Sequence, residues 1–153
     1  GRQTHCVINC IGRIRINGWV HYPQEADPEN PVDFLVHVRK IALPLYPQFG
    51  LQMNVYYIPP VHVPADFQRQ MFGPGAERAI QVYRSAKDDP ELLGALLLAG
   101  CTDRWVEKFR VADGWVFGYD RKGTEVVRAP LKEPVYVRPF RDEVHGVYRH
   151  NIT

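Results

Sequence analysis

The residues in this 153-residue chain best suited to chemistry are Cys6 and Cys10, two of its three cysteines, at C-x3-C spacing. Residues four apart share a helix face, so a helical turn here sets both thiols about one turn apart on the same side. A closed zinc site or a cubane iron–sulfur cluster takes four ligands. Two cysteines complete neither, so the remaining ligands come from elsewhere or there is no site. The plain alternative is a pair of small buried hydrophobes, since free cysteine is among the most buried residue types. A zinc site with His5 as third ligand is a poorer reading: adjacent side chains rarely converge on one metal, and no second C-x-x-C or H-x3-H follows. A redox disulfide fits less well, because the spacing is not C-x-x-C. Cys101, remote in sequence, reads as a buried structural thiol.

Nothing else in the chain reads as catalytic machinery. Ser85 is the one serine, outside any G-x-S-x-G elbow. The carboxylates are scattered, without a pair that would titrate together. Gly73-Pro74-Gly75 lacks the Lys-Ser/Thr of a phosphate loop and reads as a turn. His145 and His150 are five apart, off the helical ligand spacing, and read as solvated.

Composition bounds the class. An apolar fraction of 45% and a charged fraction of 24% are ordinary globular values with room for one core. A net charge of +2 is too small to argue for nucleic acid or an anionic membrane. The longest apolar run, residues 92–100, is about half of what a bilayer requires. The chain shows no signal peptide and no initiating Met, so Gly1 reads as a processed or truncated start. Three cysteines argue against a secreted disulfide scaffold. Thirteen prolines suggest a chain that runs over another surface.

The elements that must position the thiols follow from periodicity. Residues 6–10 are expected as a helical turn, and residues 13–20 alternate polar and apolar as a strand does. Residues 21–29 form a loop. Asn30-Pro31 starts a helix, with Asn as N-cap and Pro at N1, whose face carries Val32, Leu35, Val36 and the stem of Arg39. It must end before Pro44, and residues 42–50 cannot be helical because two prolines remove donors. Residues 54–60 read as a short strand stopped by prolines. Residues 76–86 form a helix with Ile80 and Tyr83 on one side. Residues 90–100 form a second, with Pro at its start and Gly at its end, and its leucines must be buried in its own core or against another subunit. Residues 105–111, 115–119 and 124–128 alternate around Asp113-Gly114 and Lys122-Gly123, an antiparallel meander. Residues 135–139 add a strand, and residues 142–153 a polar tail that lies on a neighbour or is disordered.

The run Cys6-x3-Cys10-Ile11-Gly12-Arg13-Ile14-Arg15 resembles the last cysteine motif of the iron–sulfur beta subunits of respiratory nitrate reductases and nitrite oxidoreductases, in the molybdenum-dependent DMSO reductase superfamily. There, C-x-x-C and a short insert precede C-x3-C, a glycine and a basic residue; the leading C-x-x-C is not in this chain. Ala42-Leu43-Pro44-Leu45-x-Pro47-x-Phe49-Gly50, then Asn54-x-x-Tyr57-Ile58-Pro59-Pro60, is similar to a string shortly after that motif. Phe72-Gly73-Pro74-Gly75 resembles the nitrite oxidoreductase branch, where it opens a helix. The meander and Glu133-Pro134-Val135-Tyr136-Val137-Arg138-Pro139 match the family's ending, and residues 76–102 match least.

The resemblance implies an α+β fold: the end of a ferredoxin-like two-cluster domain (residues 1–22), an extended Pro-rich docking arm (23–75), a helical pair (76–102), then the meander and tail (103–153). It implies that Cys6 joins an upstream C-x-x-C on one [4Fe–4S] cluster and that Cys10 completes a second, since motifs exchange ligands in two-cluster ferredoxins. Gly12 then lets the backbone approach inorganic sulfide, where amide N–H groups raise the potential. Arg13 is the basic residue beside the cluster, and a [3Fe–4S] cluster belongs elsewhere in the full subunit. The isoleucines of residues 13–20 wall off water. The implied partners are a molybdopterin-containing alpha subunit and a haem-containing gamma subunit or cytochrome. Location is periplasmic, or at the membrane through partners, with the cytoplasmic face as alternative. A cluster-free docking module and a small zinc domain are the competing readings.

Overall fold

The structure is a computed structural model that describes residues 2–12, 14–99, 101–132, 140–142 and 147–149. Its first helix, α1 (His5–Ile8), is a single turn after an extended Thr4, so Cys6 lies in the turn and Cys10 just beyond it. Residues 14–20 differ from expectation: they join no sheet. Their backbone is held instead by the buried side chain of Gln3. Its Nε2 donates to the carbonyls of Asn17 (3.3 Å) and Arg104 (3.2 Å), and its Oε1 accepts from the Asn17 amide (3.2 Å). A side-chain amide thereby satisfies backbone groups that a neighbouring strand would otherwise take up. Ile16 packs against the core, whereas Ile14 is exposed. A ferredoxin-like architecture is not seen in this segment.

The helix start at Asn30-Pro31 is as expected. Asn30 Oδ1 accepts from the amides of Val32 (2.9 Å) and Asp33 (3.1 Å), capping α2 (Pro31–Asp33) with proline at its first position. The chain then widens into a π-helical turn, Phe34–Val38, in which the Arg39 amide reaches back to Phe34 O at 2.8 Å. The wider turn rotates the buried face. Phe34 and Leu35 are buried, while Val32 and Val36 are half-buried. Arg39 still covers this edge, its guanidinium lying 5.7 Å from the Phe34 ring centroid and pairing with Asp89.

In the proline-rich stretch, Leu43 and Tyr57 exchange two backbone hydrogen bonds of 2.8 Å. The strand expected over residues 54–60 is reduced to this single bridge. Between the two residues the chain makes a loop through a left-handed Tyr46 and a 3-10 turn at Pro47–Phe49. Tyr46, Phe49, Leu51 and Val55 are exposed along it. The next helix, α3 (Ala65–Phe72), is not evident from the sequence, because it follows Pro64 without a capping side chain. Gln68 and Phe72, four apart, form its buried side. Gly73-Pro74-Gly75 then turns the chain into α4 (Ala76–Arg84), which buries Ala76 and Ala79 and leaves Tyr83 exposed.

The core gathers around α5 (Pro90–Leu97), which Asp89 caps by accepting from the Leu92 amide at 3.1 Å. Its apolar residues serve this chain's own core: Leu92, Ala95 and the following Leu98 are buried against Phe34, Leu35, Ile41, Val106, Phe109 and Val116. Gly94 lets the helix approach the sheet, since a Cβ there would lie 2.7 Å from Val111 Cγ2. The sheet is the expected antiparallel meander, β1 (Lys108–Ala112), β2 (Trp115–Tyr119) and β3 (Glu125–Pro130), in that spatial order. Asp113 and Gly114 both have positive φ (51° and 76°), as a two-residue type I′ hairpin demands. At the second turn, Asp120 Oδ1 accepts from the Lys122 and Thr124 amides, each at 2.9 Å. Residues 105–107 were expected in the first strand but precede it. There, Trp105 packs edge-on against Trp19, with centroids 5.4 Å apart. A separate ladder pairs β4 (Phe140–Asp142) with β5 (Val147–Arg149). The strand expected over residues 135–139, most of the polar tail, His145 and His150 lie outside the described residues. The whole is a mixed α+β arrangement.

Candidate functional site

The two amino-terminal thiols are not core residues. Cys6 is exposed and Cys10 half-exposed, while Val7 between them is 3% exposed and anchors the turn. By sinking Val7, α1 leaves Cys6 on the surface, with Cys10 half-exposed just past its end. Ile8, Ile11 and Ile14 surround the thiols in sequence, and all three are exposed. Gly12 is exposed, and a Cβ added there would make only ordinary contact with the Ile14 side chain, at 3.6 Å. Arg13 lies outside the described residues.

Thr4 stands at the N-cap of α1, but its hydroxyl makes no capping bond. It lies 3.0 Å from Cys6 Sγ and accepts from Asn17 Nδ2 at 2.9 Å. Asn17 is held in turn by buried Gln3. Arg15 reaches the Cys6 carbonyl at 3.4 Å. None of these partners of Cys6 is marked by its spacing in the sequence. They converge only because Gln3 ties residues 3–4 to residue 17 and to Arg104.

Where residues 14–20 run into the core, Asp33 is fully buried. Its carboxylate accepts from the His21 amide (2.8 Å), the Asp27 amide (2.9 Å) and His21 Nδ1 (2.6 Å). The hydrogen bond to Asp33 raises the His21 pKa above its ordinary 6.5, with smaller help from the charges of Asp33, Glu107 and Asp27 and some opposition from burial. Sequence reasoning missed this pair, which joins a loop residue to the first turn of a helix twelve residues on.

Cys101 is exposed, contrary to the expectation of a buried thiol. Leu98 takes the last buried position of that helical stretch, and Cys101 Sγ, beyond it, donates to the Leu97 carbonyl. Among the described residues, no group of three or more His, Cys, Asp or Glu side chains is arranged to hold a metal. Likewise, among the described residues no helix is long and apolar enough to cross a membrane. A groove beside β1 and the second hairpin turn carries both signs of charge from Glu29, Glu107, Lys108, Arg110, Asp120 and Arg121. Lys108 there is paired with Glu29 at 2.6 Å.

The C-x3-C pair, the proline-rich string and the meander that carry the resemblance to iron–sulfur beta subunits are thus placed on a short turn and its exit, a bridged loop and a three-stranded sheet. By comparison with known proteins, the chain is similar to part of the beta subunits of several reductases and a dehydrogenase. It is 28% identical over 102 residues to the beta subunit of dimethylsulfide dehydrogenase from Rhodovulum sulfidophilum, covering 57% of this chain and 30% of the relative. It is 41% identical over 61 residues to that of perchlorate reductase from Dechloromonas aromatica, covering 40% and 17%. The beta subunit of respiratory nitrate reductase from Haloferax mediterranei is 37% identical over 59 residues, covering 39% and 15%. The matches thus span less than a third of the length of these relatives. No family model matches the chain. The beta-subunit resemblance read from the cysteine motif and the proline-rich string is borne out.

Proposed function

We propose that this chain is part of an electron-transfer beta subunit, in which Cys6 and Cys10 each give one thiolate to an iron–sulfur cluster. The observation that carries this reading is that Cys6 is exposed on the turn of α1 and Cys10 half-exposed just beyond it, while Val7 between them is buried. A pair of structural cysteines would be packed where Val7 is. Three cysteines cannot supply four thiolates to each of two cubanes, so the other ligands belong to further polypeptide of the subunit. Cys6 joins a C-x-x-C on one [4Fe–4S] cluster and Cys10 completes a second. Gly12 and Arg13 follow at the cluster edge, Gly12 leaving room for close backbone approach.

A bound cluster supplies one-electron redox chemistry. This chain's residues hold it and shape its surroundings. Ile8, Ile11 and Ile14 give apolar surface on which covering polypeptide excludes water, a condition that influences cluster potential. The exposed Tyr46–Val55 loop supplies docking surface for the partner that receives or donates electrons. We assign that role to a molybdopterin-containing alpha subunit acting on nitrate or nitrite, with a haem-containing gamma subunit or cytochrome at the other end, on the periplasmic side. The names of the relatives support a role in a reductase or dehydrogenase complex; the substrate and the haem partner belong to the proposal alone.

The test is Cys10→Ser in the intact complex, followed by EPR. One cluster signal is expected to be lost or altered while the others persist. If every signal stays unchanged, the reading gives way to a cluster-free docking module, which the exposed aromatic loop also favours.

A further inference from the structure

We propose that Thr4 and Asn17 are positioning residues that set the reduction potential of the cluster ligated by Cys6, through a hydrogen bond from the Thr4 hydroxyl to the cysteine sulfur. This inference rests on the reading of Cys6 as a ligand and goes beyond it.

An N-cap threonine ordinarily turns its oxygen onto the amides of the first helical turn. Thr4 occupies that position with extended backbone (φ −72°, ψ 156°) and makes no such bond. Its Oγ1 lies 3.0 Å from Cys6 Sγ instead. The direction of the hydrogen bond follows from ligation, since a thiolate sulfur has no proton to give, and the second contact leaves the hydroxyl proton unused. Asn17 Nδ2 donates to Thr4 Oγ1 at 2.9 Å, and an amide nitrogen has no lone pair with which to accept. Thr4 therefore accepts from Asn17 and has its own proton to give, and a ligating thiolate sulfur can only accept it.

The donor is held in place from behind. The Asn17 backbone is clamped on both its N–H and its C=O by Gln3, which is 6% exposed. Gln3 itself is fixed by its backbone N–H, which donates to the Asp103 carbonyl at 2.6 Å, and by Nε2, which donates to the Arg104 carbonyl. A hydroxyl anchored in this way keeps its geometry during electron transfer. A hydrogen bond to a ligand sulfur stabilises the reduced, more negative cluster and so raises its potential. The sequence places Thr4 and Asn17 thirteen positions apart, and only the fold aligns them on one sulfur.

The experiment is a redox titration, followed by EPR, of the assembled complex carrying Thr4→Val, Thr4→Ser or Cys6→Ser. Thr4→Val keeps the shape and removes the proton. It is expected to retain the full iron content and every EPR signal, and to shift the midpoint of one cluster to a more negative value. Thr4→Ser is expected to return that midpoint toward wild type, and Cys6→Ser to abolish or alter the same cluster's signal. The proposal is overturned if Thr4→Val leaves all midpoints unchanged or moves one positive, if Thr4→Ser shifts as far as Thr4→Val, or if the shifted cluster is not the one that Cys6→Ser affects. Should Thr4→Val block assembly, Thr4→Ala decides: a midpoint of the Cys6 cluster shifted to a more negative value supports the hydroxyl's role, and an unchanged midpoint overturns it. Unchanged signals in Cys6→Ser would instead sink the ligand assignment itself.

Discussion

Asp33→Asn tests what fastens the cysteine-bearing segment to the core. The Asp33 side chain is fully buried and accepts three hydrogen bonds, two of them from backbone amides. Asparagine keeps one acceptor oxygen and turns an NH2 group toward donors. With the oxygen on the His21 amide, the Asp27 N–H loses its partner and the new amide meets donors instead of acceptors. The His21 ring is 39% exposed, so water replaces much of its loss. Two buried unsatisfied groups at about 1–3 kcal/mol each, not fully additive, give a cost of roughly 2–4 kcal/mol. Urea unfolding at about pH 6 and about pH 8 measures it, both lying near the histidine range.

The pH arm has a definite sign. Because the folded-state pKa of His21 is raised above 6.5, its protonation favours the folded state. That contribution is complete below about pH 6.5 and declines as pH rises through the folded value. The gap between wild type and Asp33→Asn is therefore wider at about pH 6 than at about pH 8, and the His21 titration followed by NMR moves down in the variant. A cost below about 1 kcal/mol, together with an unmoved His21 titration, would refute the assignment of Asp33 as the anchor.

Gly94→Ala in a helix interior would ordinarily gain about 1 kcal/mol. Here the added Cβ meets Val111 Cγ2 at 2.7 Å and Val116 Cγ2 at 3.2 Å, and overpacking costs about 1–3 kcal/mol. The expected result is an unchanged or lowered Tm, with the gain recovered in a Val111→Ala background; a raised Tm for the single variant would contradict this packing. The 153-residue chain on its own, reconstituted anaerobically with iron and sulfide, is expected to hold no stable cubane, and near-stoichiometric [4Fe–4S] by iron and sulfide analysis would count against ligand sharing.

Local chemistry was legible in the sequence wherever one or two residues decide the backbone. Asn30-Pro31 opened a helix because one side chain caps two amides and the ring presets φ. Asp113-Gly114 closed a hairpin because both positions need positive φ, and the alternation around it read correctly as a meander. The thiol pair and the proline-rich string also pointed correctly to beta subunits of reductases.

Only the tertiary structure decided which surfaces those elements show. Residues 13–20 carry a strand's alternation, yet alternation specifies two faces and not a neighbour, and Gln3 supplied the hydrogen bonds that a strand partner would have. The π-helical turn after Asp33 rotated the buried face onto Phe34 and Leu35, a change that a 3.6-residue period cannot register. Cys101 lies outside the core because Leu98 filled the last buried position. Thr4, Asn17, His21 and Asp33 acquired their partners from residues two to sixteen positions away, set by how the amino-terminal segment folds back on the core. Hydrogen bonds of that kind depend on where the backbone brings two groups together, and no residue type announces that by itself.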